Sequence, residues 1–181
     1  MKPGEARRIL ESAELLCSAN EVAAAVARIA GEINARLSGT QPLVLPVMNG
    51  AVVFAGQLLP QLEFPLEQAY LHVSRYGNTT AGGRLRWLAE PEHGTIAGRT
   101  VLVVDDVLDE GVTLAAIRAR LLERGAAACY VAVLVDKDLG RAKPIAADFV
   151  GLRLPNRYLF GFGMDVEGAW RNLPALYALK E

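Results

Sequence analysis

The order of apolar and polar positions divides the chain into a helical first part and a second part in which strands and helices alternate. Apolar side chains recur at helical spacing over residues 3–18 and again over residues 20–38. Asn20 is placed to cap the second of these helices and Gly39 to end it. From residue 43 onward the apolar runs are shorter, which is typical of buried strands.

This second part predicts a sheet of mostly parallel strands. Strands are predicted at 43–48, 66–77, 84–90, 100–106, 129–137, 148–154 and 158–163, and helices at 51–62 and 112–125. The continuous apolar run TVLVVDD is typical of a strand that is buried on both faces. The alternation therefore predicts an α/β fold with a central, mostly parallel sheet flanked by helices.

No stretch of the chain has the composition of a linker, so we expect one domain over residues 1–181. Within it, residues 1–40 form the helical layer, residues 41–138 the core and residues 139–181 a final segment. With 52% apolar and 22% charged residues, the chain can bury a sizeable core.

A net charge of −1 gives no reason to expect nucleic acid or a membrane surface as a partner. The two cysteines, Cys17 and Cys129, are far apart and match no metal or redox spacing. We expect both to be small core residues of a reduced, cytoplasmic protein. The N-terminal residues lack the apolar core of a signal peptide, and no apolar run is long enough to span a membrane.

The densest chemistry lies in VLVVDDVLDEGVTL, residues 101–114. Asp105 and Asp106 end a buried strand, and adjacent carboxylates are tolerated best beside a cation or hydroxyl donors. Their side chains point to opposite faces of the strand, which suits a polyol or a hydrated metal ion. Residues 109–113 then form a turn before a helix, where backbone N–H groups and the Thr113 hydroxyl can bind phosphate. Gly111 permits the close backbone approach that such a turn requires.

The stretch admits three other interpretations. An acidic surface turn with a helix cap explains the residues without any ligand. The magnesium strand of a P-loop enzyme is disfavoured because the chain contains no GxxxxGK[ST] motif. The first strand of a phospho-accepting receiver domain is disfavoured because too few residues follow it.

VLVVDDVLDEGVTL resembles the phosphoribosyl-pyrophosphate motif of the type I phosphoribosyltransferases. Further segments resemble the hypoxanthine-guanine branch of that family, and together they cover roughly residues 40–175. These segments are PVMNGAVVFAGQLL (46–59), HVSRYGN (72–78), LVDKD (134–138), ADFVGLRLPNRYLFGFGMD (147–165) and WRNLP (170–174). The resemblance implies a type I phosphoribosyltransferase fold, with a mobile antiparallel lid and a small hood over the sheet.

The resemblance also implies an activity. The enzyme would transfer a 5-phosphoribosyl group from phosphoribosyl pyrophosphate to N9 of hypoxanthine or guanine. IMP or GMP and pyrophosphate would be released, and Mg²⁺ would be required. Asp109 would be the catalytic residue, acting as general acid/base at the purine N7.

By the same resemblance, four groups of residues receive roles. Ribose and 5-phosphate are assigned to Asp105, Asp106, Asp109, Glu110, Gly111, Val112 and Thr113, with the metal at Asp105 and Asp106. The purine is assigned to Lys137, Phe149, Val150 and Asn156. Pyrophosphate is assigned to Asn49, Gly50 and Arg171, and the lid to Ser74, Arg75, Tyr76 and Gly77.

Three positions depart from the family pattern. Asn49 stands where a lysine is common, Glu110 where a threonine is common and Asn156 where an aspartate is common. Three rival functions stay open, namely a xanthine or pyrimidine phosphoribosyltransferase, an RNA-binding regulator of the same fold and a non-catalytic interaction protein that kept the fold. The intact Asp109 and phosphate turn argue against the third. The family resemblance also suggests a homodimer or homotetramer.

Overall fold

A computed structural model describes residues 1–75, 85–92 and 94–180. Four helices are present: α1 (Pro3–Ser12), α2 (Ala19–Leu37), α3 (Val52–Leu58) and α4 (Val112–Glu123). The strands are β1 (Glu14–Cys17), β2 (Leu43–Met48), β3 (Glu67–Gln68), β4 (Leu71–Arg75), β5 (Leu85–Ala89), β6 (Thr100–Leu108), β7 (Ala128–Asp138), β8 (Phe149–Pro155), β9 (Leu159–Phe160) and β10 (Leu176–Ala178).

The strands form a large sheet and a small one. The large sheet has the order β5-β4-β2-β6-β7-β8, with β3 also paired to β2. All of its pairings are parallel except that of β4 with β5. The small sheet, β1-β10-β9, is antiparallel and is called the hood below, together with the turns that follow β9. The predicted α/β class with a mostly parallel central sheet is confirmed.

Successive side chains of β6 point to opposite faces of the large sheet, and helices cover both faces. Val101 and Val103 pack with α4 on one face, whereas Leu102 and Val104 pack with α2 and α3 on the other. All four side chains are fully buried, so both faces of this strand are covered, as its continuous apolar sequence predicts. The carboxyl end of β6 is thereby held rigidly at the edge where ligands bind in such sheets.

The helix predicted over 3–18 is wrong in its second half. It ends at Ser12, and Ala13 is extended. The Ser18 hydroxyl, rather than Asn20, caps α2, and Glu21 completes a capping box there. The intervening residues Glu14–Cys17 pair with Leu176–Ala178, a strand that the mixed C-terminal sequence did not reveal.

Other boundaries shift for local reasons. The helix predicted over 51–62 ends at Leu58 and continues as a 3-10 turn that contains Pro60, which cannot donate a backbone hydrogen bond. The strand predicted over 66–77 is divided between β3 and β4, which pair with successive parts of β2. Cys17 and Cys129 are buried free thiols, as expected. None of the helices described is long and apolar enough to cross a membrane.

An ion-pair network ties the end of β5 to α4. The Glu90 carboxylate accepts hydrogen bonds from Arg120 Nε at 2.8 Å and Nη2 at 2.7 Å, and from Arg124 Nη1 at 2.9 Å. The Arg120 guanidinium also lies 4.7 Å from the centre of the Trp87 ring. Hydrogen bonds from Arg120, reinforced by both positive charges, hold the pKa of Glu90 below its ordinary 4.5. The network therefore fixes α4, whose first turn faces the candidate site.

Replacing Glu90 by glutamine is expected to lower the free energy of unfolding at pH 7 by about 1 kcal/mol. Because the folded pKa is the lower one, this stabilisation is complete above the unfolded pKa and is lost as pH falls through the folded pKa. Urea unfolding of the unmodified protein and of Glu90→Gln, at pH 7 and at pH 3, measures this stabilisation. Glu92→Gln, at an exposed position, is the control. A difference that stays constant between the two pH values contradicts the assignment.

Candidate active site

A cleft of about 350 Å³ opens at the carboxyl ends of β2 and β6. It brings together three segments that are distant in sequence, namely the loop after β2, the acidic turn after β6 and the hood. The residues that line it are Val47, Met48, Gly50, Val73, Asp105, Asp106, Val107, Leu108, Asp109, Glu110, Gly111, Thr113, Leu114 and Arg171. Most of the predicted ribose, phosphate and pyrophosphate residues therefore share one cleft.

Asp105 and Asp106 form a desolvated carboxylate pair at the floor of the cleft. Asp106 is 8% exposed, and its backbone N–H donates to Asp105 Oδ1 at 3.0 Å. Burial and the neighbouring charge of Asp106 raise the pKa of Asp105 well above its usual range. Burial also raises the pKa of Asp106, although the charge of Arg171 opposes that rise. Two such groups favour a cation or hydroxyl donors as their ligands.

The turn from Asp109 to Thr113, called the nest below, leads into the first turn of α4 and is the predicted phosphate site. Gly111 precedes the helix with φ +79°, and its carbonyl accepts from Ala115 N at 2.9 Å. This arrangement leaves the leading N–H groups of α4 directed out of the helix end, toward the cleft that Gly111 and Thr113 line. A Cβ at position 111 would lie 3.3 Å from Pro144 and from Ile145, so the nest is also closely packed from behind.

Asp109 and Lys137 meet at the other side of the turn. The strand register ends with the pair Leu108 and Asp136, so Asp109, just after β6, comes beside Lys137 of β7. Lys137 Nζ donates to Asp109 Oδ2 at 3.2 Å. The lysine side chain is only 12% exposed, so its ammonium group is held in place and is little hydrated. The catalytic residue and the purine-binding lysine predicted from the sequence are therefore in direct contact.

The loop after β2 is closely packed between the acidic pair and the hood. A Cβ at Gly50 would lie 2.1 Å from Asp106 Oδ2, and one at Gly163 would lie 2.0 Å from the Gly50 carbonyl oxygen. The peptide bond between Met48 and Asn49 is cis. Asn49 is exposed, and its neighbours Met48 and Gly50, rather than Asn49 itself, line the cleft.

Arg171 reaches the cleft from the hood. Its Nη1 donates to the Gly163 carbonyl at 2.6 Å and its Nη2 pairs with Asp165 Oδ1 at 2.5 Å. The neighbouring Trp170 donates its indole N–H to the Ala6 carbonyl at 2.7 Å. Contacts with α1 and with the hood thus fix Arg171 beside Asp106.

The structure does not support the purine roles of Phe149 and Val150. Phe149 is 6% exposed, packs against Tyr130 and pairs in register with Ala132, far along the strand from Lys137. A ring enclosed in the core presents no open face to a base. The Val150 carbonyl accepts a hydrogen bond from Arg28 at 3.0 Å.

Beside the cleft lies a second cavity of about 410 Å³, which Lys137 lines together with Leu108 and Arg141. Asn156 is exposed in the turn after β8 and lines neither the cleft nor this cavity. Its assignment to the purine is likewise unsupported by the geometry.

Tyr158 is a site candidate that the sequence reasoning missed. It is 52% exposed, and its hydroxyl donates to the Asp165 carbonyl at 3.3 Å. Asp165 in turn pairs with Arg171, so this exposed ring is two contacts from the cleft. The signal was available, because Tyr158 is the polar-tipped aromatic of YLFGFG, in which the next two residues are buried.

The lid can be followed only in part. Ser74 lies on β4 and pairs in register with Arg86 of β5, which confirms the antiparallel return of the chain. Arg75 ends β4. Tyr76, Gly77 and the rest of the predicted lid, up to Gly83, lie outside the residues that the structure describes.

A mostly parallel sheet with a carboxylate pair, a glycine turn at a helix start and a hood at its carboxyl edge is typical of α/β enzymes that bind phosphorylated ligands there. The sequence profile of the phosphoribosyl transferase domain matches residues 14–167. The chain therefore belongs to the phosphoribosyltransferase family.

Known relatives show which members of the family the chain resembles. The chain is 31% identical to a hypoxanthine-guanine phosphoribosyltransferase of Bacillus subtilis, over 92% of this chain and 93% of that protein. It is 33% identical to the bifunctional protein TilS/HprT of Listeria innocua over 92% of this chain, but spans only 26% of that longer protein. A solved hypoxanthine phosphoribosyltransferase from Staphylococcus aureus superposes with a TM-score of 0.86 at 25% identity, covering 92% of this chain and 91% of that one.

Proposed function

We propose that the protein transfers the 5-phosphoribosyl group of phosphoribosyl pyrophosphate to N9 of hypoxanthine or guanine, in purine salvage. The products are IMP or GMP and pyrophosphate. The observation that carries this proposal is the contact between Asp109 and Lys137 beside the nest, because it places a base-recognition pair next to a phosphate site.

The pair suits the O6–N7 edge of a 6-oxopurine. O6 accepts a hydrogen bond, which the Lys137 ammonium supplies, and N7–H donates one, which the Asp109 carboxylate accepts. The two side-chain atoms are 3.2 Å apart, about the spacing of adjacent groups on that edge. Adenine would bring an amino group against the ammonium, and a pyrimidine has no N7. Xanthine shares the edge and is not rejected by it.

Asp109 then performs proton transfer. Accepting the N7 proton makes N9 nucleophilic at the moment when the sugar C1 loses pyrophosphate. Asp105 and Asp106 accept hydrogen bonds from the ribose hydroxyls, and the nest from residue 109 to 113 holds the 5-phosphate through backbone N–H groups. These contacts fix C1 close to N9, and such positioning supplies a large part of the rate enhancement.

The acidic pair also fits Mg²⁺. Hard cations prefer carboxylate oxygens, and a cation relieves the repulsion between these two desolvated groups. Within the described ranges no three His, Cys, Asp or Glu side chains gather into a closed metal site. Asp105 and Asp106 would therefore hold the ion together with substrate and water oxygens. When bound, it offsets the charge on the departing pyrophosphate.

Arg171 and the main chain at Gly50 are the proposed pyrophosphate contacts, since both line the cleft next to Asp106. Tyr158 is the proposed stacking face for the base in place of Phe149, because its ring is accessible and joined to Arg171 through Asp165. A homodimer or homotetramer and a cytoplasmic location remain predictions.

Purified protein with Mg²⁺, phosphoribosyl pyrophosphate and each of hypoxanthine, guanine, xanthine, adenine and uracil tests the proposal by nucleotide formation. We expect turnover of a 6-oxopurine and none of adenine or uracil. Failure with both hypoxanthine and guanine would overturn the proposal. The RNA-binding rival would need a basic face, and the net charge of −1 gives it little support.

A further inference from the structure

Glu110 puts a negative charge at the mouth of the phosphate nest. It lies between Asp109 and Gly111 in the turn that leads into α4, and it lines the same cleft. A free carboxylate there would repel an incoming phosphate group and oppose the positive field of the helix end. The structure supplies a partner, because Arg141 Nη2 donates to Glu110 Oε2 at 2.5 Å.

Arg141 belongs to the connecting segment between β7 and β8, residues 139–148, which is fixed to the nest. Lys143 Nζ donates to the Leu108 carbonyl at 2.7 Å and to Asp136 Oδ1 at 2.6 Å. The Lys143 side chain is only 10% exposed, so this anchor is held out of solvent. The carbonyl it binds lies one residue before Asp109, at the start of the acidic turn.

The same segment contacts the nest glycine. Pro144 and Ile145 lie 3.3 Å from the position that a Cβ of Gly111 would occupy. Before this contact, Gly140 N donates to Asp138 Oδ1 at 2.8 Å and turns the chain back toward the nest. The position of Arg141 next to Glu110 therefore follows from contacts on both sides of it in sequence.

Each acid of the pair Asp109-Glu110 consequently has its own cation. Lys137 pairs with Asp109, and Arg141, four residues later, pairs with Glu110. The second pair is well exposed, at 63% for Arg141 and 42% for Glu110, so it contributes little to the stability of the fold. A function at the nest explains the pair better than a structural one.

We propose that Arg141 is a positioning residue of the phosphate nest: by neutralising Glu110 it keeps the nest able to bind the 5-phosphate of the substrate. This inference rests on the proposed function, since the phosphate is that of phosphoribosyl pyrophosphate or of the product nucleotide. It also explains how the nest tolerates glutamate where the family commonly has threonine.

The test is a double-mutant cycle of Arg141→Gln and Glu110→Gln. In the otherwise unchanged protein, Arg141→Gln should raise the KM for phosphoribosyl pyrophosphate about tenfold with kcat nearly constant. In the Glu110→Gln background the same substitution should change that KM less than twofold. Arg8→Gln, which removes an exposed positive charge on α1, is the charge-matched control.

Calorimetry with product ligands separates the phosphate from the rest of the nucleotide. Arg141→Gln should weaken IMP binding about tenfold and leave inosine, which lacks the phosphate, unaffected. An equal loss for both ligands contradicts the proposal, as does a loss for IMP that persists in the Glu110→Gln background, since Arg141 would then contact phosphate directly. If the unmodified protein neither binds IMP nor forms nucleotide, the proposed function itself fails; normal turnover with no effect of Arg141→Gln overturns this inference alone.

Discussion

Replacing Asp109 by asparagine is expected to lower the single-turnover rate of nucleotide formation by about 10² to 10⁴. Asparagine keeps the size of the side chain and can still accept a hydrogen bond from Lys137, but it cannot take the N7 proton. The loss should therefore fall on the chemical step, and the KM for phosphoribosyl pyrophosphate should change little because the nest and the acidic pair are intact.

Single-turnover measurement matters because product release limits the steady-state rate of many enzymes and would mask part of the loss. Glu123→Gln, an exposed substitution near the end of α4, serves as the charge-matched control. Wild-type turnover by the asparagine variant would remove Asp109 from its proposed role. An equal fall in phosphoribosyl-pyrophosphate affinity would indicate that the side chain mainly holds the sugar.

The acidic turn could be predicted because its chemistry is local in sequence. The strand, the two carboxylates and the helix start at Gly111 follow one another, and the continuous apolar run places them at the carboxyl edge of a sheet. The contact of Asp109 with Lys137, in contrast, became apparent only from the register of β6 and β7, which pairs Leu108 with Asp136. The acidic turn itself needed no distant segment for its prediction.

The hood could not be predicted in the same way. Residues 14–17 continue the helical spacing of α1, and only their pairing with Leu176–Ala178, at the other end of the chain, makes them a strand. Tertiary pairing overrides local periodicity here. The covering of the site therefore depends on a contact between the two ends of the chain.

Phe149 shows a second limit. Both Phe149 and Tyr158 are aromatic residues of β8 or the segment after it, and sequence alone does not say which ring is accessible. Strand register decides it, because Phe149 begins β8 level with the buried Ala132, whereas Tyr158 comes after the strand has passed Lys137. Likewise, the partner of Glu110 became apparent only once the connecting segment that carries Arg141 was placed against the nest.

Replacing Gly50 by alanine is expected to lower kcat/KM about 100-fold, through displacement of a single carboxylate. The added Cβ would lie 2.1 Å from Asp106 Oδ2, a separation that no relaxed structure permits. Gly50 is not one of the described residues that have a positive φ. The effect would therefore come from this overlap and not from backbone strain. Asp106 must move away from the proposed ribose and metal position.

The overlap predicts non-additivity. In an Asp106→Ala background, which already lacks the carboxylate, Gly50→Ala should lower kcat/KM further by less than about threefold. Gly56→Ala is the matched control, because its Cβ would meet open space on α3, and it is expected to raise the free energy of unfolding by about 0.5–1 kcal/mol. Full additivity of the Gly50 and Asp106 substitutions would refute a direct overlap as the cause.

Gly163→Ala tests the same packing from the hood and should be the more damaging for stability. Its Cβ would lie 2.0 Å from the Gly50 carbonyl, and its φ of +104° is strained for any L residue. We expect the free energy of unfolding to fall by about 2–4 kcal/mol, and we expect activity to fall as well. Gly50→Ala, in contrast, needs only a cleft side chain to move and should leave unfolding within about 1–2 kcal/mol of the unmodified protein. Urea unfolding, measured together with the kinetics, gives the difference in stability between the two variants. A larger loss for Gly163→Ala indicates that the fold depends on direct packing of the hood against the loop after β2.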